Sequence, residues 1–248
     1  TKAVTRRANH RDLRALARFL SEIPALLDVL AEAGSEKVQT VCSGLDPCTE
    51  LVERILEAVK PDPPVNLADG GIIQDGFNAE LDELRKISVS GKDWIAGLQK
   101  TEKDKTGIPS LKIGFNKVFG YYLEVTKPHL HKVPEDYIRK QTLVNSERYI
   151  TAGLKEMEEK VLRAEEKSIE LEKKLFTDLR EFSSGFSEAV QQNGRLLAEL
   201  DSLLSFALTA VEYRYVKPDV NNSSSIEIED SRHPVVEQLL PPGEPFIS

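Results

Sequence analysis

Aromatic residues are scarce in this chain, 6% of 248 positions with a single tryptophan, whereas charged residues reach 30%. That balance disfavours a compact enzyme built around a deep pocket and favours long solvated helices. Two cysteines, Cys42 and Cys48, are too few for a disulfide framework and too far apart for a CxxC pair. Cys42 also follows an apolar rhythm and reads as packing. No run approaches the roughly 20 apolar residues that cross a bilayer. The basic start from Thr1 to Arg14 lacks the apolar stretch of a secretory signal, so the expected location is cytoplasmic, with no membrane partner. No nucleophile triad is apparent, and His129 and His131 have only Glu135 and Asp136 nearby as oxygen donors, a poor metal set. No GxxxxGK[ST] phosphate loop occurs. The chain itself is therefore not expected to be an enzyme or to hold a metal or cofactor.

Hydrophobic residues make up 40% of the chain, enough for a real core. A net charge of −8 argues against nucleic-acid binding by the whole surface. Its distribution is uneven. Residues 109–151 carry Lys112, Lys117, Lys127, Lys132, Arg139, Lys140 and Arg148 against Glu124, Glu135, Asp136 and Glu147, a small basic island on an acidic chain.

The first sixty residues read as helices of ordinary length. Leu13, Leu16, Ala17 and Leu20 recur at helical spacing, Pro24 opens a helix over 23–30, and Leu51, Val52, Ile55 and Val59 mark another that Lys60-Pro-Asp-Pro-Pro64 ends. A connector leads to a long helix over 78–105, with Leu81, Leu84, Ile95 and Leu98 on one stripe and Ser88 and Gly91 in its middle. Thr106-Gly-Ile-Pro109 stops it. Leu111, Ile113 and Phe115, then Tyr121, Leu123 and Val125, alternate as a hairpin turning between Asn116 and Gly120, with at least one of Tyr121 and Tyr122 in the core.

After Pro134 helical rhythm returns, giving a helix over 147–182 with Leu154, Met157, Val161, Ala164, Ser168, Leu171 and Leu175 as its seam. The carboxylates of 156–166, Glu158 among them, read as its solvated face. Pairing this helix antiparallel with 78–105 would put the basic island at the far end, where the chain reverses. A further helix is expected over 196–215, and Ile226-Glu-Ile-Glu229 alternates like a strand opening a sheet that is not completed, which suggests a piece of a longer protein.

Five blocks make the sequence recognisable: Gly76-Phe-Asn-Ala-Glu-Leu-Asp-Glu-Leu-Arg85, Leu111-Lys-Ile-Gly-Phe-Asn-Lys-Val-Phe-Gly-Tyr-Tyr122, Arg139-Lys-Gln-Thr-Leu-Val-Asn-Ser-Glu-Arg-Tyr149, Ala198-Glu-Leu-Asp201 and Arg232-His-Pro-Val-Val-Glu-Gln238. In order and content they resemble the MutS family of DNA mismatch repair proteins over nearly the whole chain. The resemblance implies a mainly α fold: an elongated helical lever whose long antiparallel helix pair carries a small inserted β-containing clamp at its tip. It implies lever helices over 1–108 and 151–218, a clamp over 109–150 that binds DNA backbone, and the start of an ATPase domain over 219–248. The family's mismatch wedge and phosphate loop are absent, so ATP and Mg²⁺ are implied only for a longer parent. A homodimeric parent and mismatch repair partner proteins are implied in the same way.

By the same likeness, Asn116, Lys140 and Asn145 match clamp positions nearest the DNA backbone, and Phe246 matches an aromatic that packs on adenine. Asn116 can equally be a turn residue and Asn145 a helix N-cap. Lys117, Lys127, Lys132 and Arg139 belong to the island, where solvation and phosphate contact are both open. The rival reading is a coiled-coil interaction or dimerisation module whose β tip docks a protein.

Overall fold

The computed structural model describes residues 7–64, 70–229 and 231–241; Phe246 lies outside them. The chain forms two compact units, residues 1–201 and 202–248.

In the first unit, α1 (His10–Leu20) begins where Asn9 and Asp12 cap one another reciprocally, the Asn9 side chain accepting the Asp12 N–H at 2.8 Å and the Asp12 carboxylate accepting the Asn9 N–H at 3.0 Å. α2 (Ile23–Leu30), α3 (Glu36–Ser43) and α4 (Thr49–Ala58) follow. Leu13, Ala17 and Leu20 of α1 and Leu51, Ile55 and Ala58 of α4 bury their stripes in one core, which also takes in Leu81, Phe176 and Leu179.

Two long helices dominate this unit, α5 (Ala79–Thr106) and α6 (Ala152–Ser184). Asn78 caps the first through the Leu81 N–H at 3.0 Å, and Gly107, at φ +64°, closes it in the left-handed conformation. Thr151 caps α6 through Leu154. The helices run antiparallel, because Arg85 meets Glu172, Ser88 meets Glu165 and Gly91 meets Val161. Gly91 permits the close approach: a Cβ there would stand 2.3 Å from Val161 Cγ2.

Between the long helices lies a four-stranded antiparallel sheet, β1 (Lys112–Asn116), β2 (Gly120–Thr126), β3 (Ile138–Thr142) and β4 (Ser146–Ile150), in the order β1-β2-β4-β3. A 3-10 turn, Lys127–Lys132, leaves β2. Leu123, Val125 and Tyr149 pack from the sheet's inner face onto Ile95, Leu98, Ile108 and Leu154 in a second core. The fold class is thus the expected one, a helical body with a small sheet inserted between two long helices.

Several expectations are corrected. Residues 147–150 are not the start of a helix; β2 offers β4 a free edge, and sheet pairing that buries Ser146, Glu147 and Tyr149 outweighs the helical rhythm. Helix α6 therefore begins at Ala152, and Asn145 sits in the β3–β4 turn rather than capping a helix. Glu158, read as solvated, is 2% exposed. It lies four residues after Leu154 and three before Val161, on the buried stripe itself.

Helix α7 (Ser187–Tyr213) begins earlier than the expected residue 196. In the first unit, Asn193 on α7 holds the α3–α4 loop by two bonds, accepting the Asp46 N–H at 2.9 Å and donating to the Asp46 carbonyl at 2.6 Å. In the second unit, α8 (Pro234–Leu239) starts at His233, and Arg232 reaches the Tyr213 carbonyl at 3.0 Å. Residues 226–229 are exposed and form no strand among the described residues, contrary to the alternation.

Candidate nucleic-acid interface

Alternation along the strands gives the sheet two unlike faces. Its outer face carries Glu124, Arg148 and Gln141, with Arg148 donating to Glu124 at 3.0 Å and to Gln141 at 2.9 Å. The Arg148 guanidinium also lies 4.3 Å over the Tyr122 ring, and that ring crosses Gly114, where a Cβ would come within 2.6 Å of it. Tyr122 is thereby buried, and Tyr121 is half-buried on the opposite face, packed edge-on against Phe115. Neither ring lies open for base stacking.

Two tyrosine–carboxylate pairs brace the inner face. Tyr137 donates to Glu102 of α5 at 2.6 Å, and Tyr149 donates to Glu147 at 2.5 Å. Burial raises both phenols, and the acceptor carboxylates raise them further, Tyr149 to about 12. Arg139 faces Glu147 at 3.4 Å, so part of its charge serves this brace although its side chain is 62% exposed.

The seven candidate residues do not form one patch. Asn116 ends β1 and accepts the Val118 N–H at 2.7 Å, an Asx turn that presents Lys117 to solvent. At the opposite end of the sheet, Lys127 opens the 3-10 turn and its N–H donates to the Asn145 carbonyl at 3.0 Å, which brings those two residues together. The two turns are separated by the length of β2, seven residues, or about 20 Å. Lys140 stands on the edge strand β3 at a register shift between Arg139 and Gln141. Lys132 reaches the Gly107 carbonyl at 3.3 Å. Lys112, Lys117, Lys127 and Lys140 are exposed and form no ion pair among the described residues.

The β1–β2 turn does not point away from the helix pair as a simple tip would. Gly120 and Tyr121 lie against Glu158, within the second turn of α6, so this hairpin folds back along the helix. Glu158 was missed as a contributor to the region, as were Tyr137 and Gln99, whose Oε1 accepts the Ile113 N–H at 3.0 Å. A signal existed for Glu158 in its place on the stripe.

His129 and His131 sit on the 3-10 turn, and no group of three metal-ligating side chains occurs among the described residues. No described helix is long and apolar enough to cross a membrane.

A four-stranded sheet set between two long antiparallel helices, with lysines on its turns and edges, defines a helical hairpin that presents cations on a small platform. Comparison with known proteins identifies which one. Residues 76–167, which take in α5, the sheet and the first half of α6, match the family model described as MutS family domain IV. The chain is 51% identical to the DNA mismatch repair protein MutS of Salinibacter ruber over 99% of its own length, and 48% identical to that of Myxococcus xanthus over 96%. It is 43% identical to the MutS of Clostridium beijerinckii over its whole length. The chain belongs to the MutS family. It spans about 27% of the length of these relatives.

Proposed function

We propose that the sheet is a clamp that grips the backbone of duplex DNA without reading its sequence, and that the long helices are a lever coupling it to an ATPase domain in a longer mismatch repair protein. In this reading residues 109–150 are the clamp, and residues 1–108 and 151–218 are the lever. The observation that carries it is the set of exposed lysines, without an ion pair among the described residues, on a braced sheet in a chain of net charge −8. Phosphates attract such cations at any sequence, whereas base readout needs side chains aimed into a groove. Asn116, Lys117, Lys127, Lys132, Arg139, Lys140 and Asn145 are the proposed contacts, with Arg139 weakened by its bond to Glu147.

Few charges are on offer, so contact should neutralise about two to four phosphates, and log affinity should fall against log salt with a slope of roughly −2 to −4. The test is a salt titration of duplex binding by the chain and by the triple variant Lys132→Glu, Lys140→Glu, Asn145→Ala. All three sites are exposed, so folding should survive and binding to matched and mismatched duplexes should fall together. Undiminished binding by the triple variant at low salt would remove the clamp assignment.

A protein-docking reading draws on Val118 and Val144, 90% and 83% exposed in the two hairpin turns. An apolar interface would respond little to salt, which separates the two readings.

A further inference from the structure

One hairpin of the sheet is fastened to α6 by a single carboxylate. Glu158 is 2% exposed; its Oε1 accepts the Tyr121 N–H at 2.9 Å and its Oε2 takes Lys155 Nζ at 2.8 Å. The strand register explains why the carboxylate is needed there. β4 pairs with β2 only as far as Leu123↔Tyr149, because the chain then leaves the ladder to start α6. Amides along a strand point to alternate sides, so the Tyr121 N–H faces the same way as that of Leu123 but has no strand to meet. Glu158 supplies the missing acceptor. Gly120 makes room for it: φ is +82°, and a Cβ would stand 1.8 Å from Glu158 Oε1.

We propose that Glu158 is a positioning residue for the DNA contact, locking the hairpin that bears Asn116 and Lys117 to α6 so that it meets the duplex at a fixed distance from the Lys127 and Asn145 end. The inference rests on the phosphate-gripping function proposed above. Without this contact the hairpin would be free to shift relative to the other group of contacts, about 20 Å away along β2.

Three substitutions test this in the full chain, read by hydrogen exchange at the Tyr121 amide and by the salt slope of duplex binding. Glu158→Ala should speed Tyr121 exchange about tenfold or more, the loss of one buried hydrogen bond, and reduce the slope by about 0.9, the share of one phosphate. Lys117→Ala should reduce the slope equally in the original chain and not at all in the Glu158→Ala background. Glu158→Gln keeps an acceptor oxygen and should restore both readouts, which separates positioning from any general loss of fold.

Should Glu158→Ala fold poorly, Gly120→Ala attacks the same contact from the other side and should give the same reduced slope. Lys117→Ala acting equally in both backgrounds, or unchanged Tyr121 exchange in Glu158→Ala, overturns the positioning role alone. Duplex binding by the original chain that ignores salt overturns the phosphate reading and this inference with it.

Discussion

Replacing Gly91 by alanine sets two opposed effects against each other. In an isolated helix the change should stabilise by about 1 kcal/mol, because glycine gives up more backbone freedom on folding. Here the new methyl would lie 2.3 Å from Val161 Cγ2 and 3.3 Å from Met157 Sδ, against an ordinary carbon–carbon contact of about 3.5–4.0 Å. Met157 can yield, but Val161 is β-branched and held to essentially one helical rotamer. The helices must therefore part locally, and overpacking of this kind costs about 1–3 kcal/mol.

The steric effect should win, leaving Gly91→Ala less stable by up to roughly 2 kcal/mol, or a few °C in Tm at this chain size. Gly97, on the same helix, is the control: nothing lies within 4 Å of a Cβ built there, so Gly97→Ala should raise Tm by a similar margin through propensity alone. Thermal and urea unfolding followed by circular dichroism measure both. Adding Val161→Ala to Gly91→Ala should remove the clash, so the double variant should be more stable than the sum of the single effects by about 1 kcal/mol or more. If Gly91→Ala melts higher than the original chain, or the two changes simply add, the close approach of α5 and α6 has been misjudged.

Glu172, 2% exposed, accepts the Ile72 N–H at 2.8 Å and Arg85 Nη2 at 2.6 Å; Glu172→Ala should cost about 1–3 kcal/mol by leaving the buried Ile72 N–H without an acceptor, since Arg85 keeps Asp75 and the Ile73 carbonyl, and Glu172→Gln distinctly less, in the same unfolding assay. Tyr149 has its phenol raised from 10.0 to about 12, so its contribution to stability is complete below about pH 10 and is lost as pH climbs through 12. Tyr149→Phe should flatten the fall in stability across that window, measured as urea midpoint against pH; a fall equally steep in the variant would mean that the phenol is not held neutral by the fold. Cys48 is buried with its thiol raised, by burial first and by Asp46 second, so alkylation of the folded chain should label Cys42 well before Cys48, as peptide mass mapping would show.

Helix phase was legible because it repeats. Leu13, Ala17 and Leu20, or Leu154, Val161 and Ala164, declare a buried face by spacing alone, and the burial follows that spacing. The antiparallel pairing of the long helices followed from the same stripes, since each needed a partner and the chain between them reverses. β1 and β2 were legible for the corresponding reason at period two. β3 was not: all five of its residues are exposed on the sheet edge, so Ile138-Arg-Lys-Gln-Thr142 offers no alternation to read. Its strand state is set by hydrogen bonds from β4, a neighbour in space.

The candidate site shows the same division between what spacing reveals and what only folding brings together. A count of charges along 109–151 found the basic island, yet it could not find that Lys117 and Lys127, ten positions apart in sequence, stand at opposite ends of β2. Residue type misled most at Glu158. A glutamate in a run of alternating charges is ordinarily a solvated one, because burying a carboxylate without partners is costly. Here the partners come from 37 positions away, at Tyr121, and from one turn earlier in the helix, at Lys155. With both donors supplied, burial of the carboxylate becomes admissible, and its place on the apolar stripe of α6 then decides which way it points.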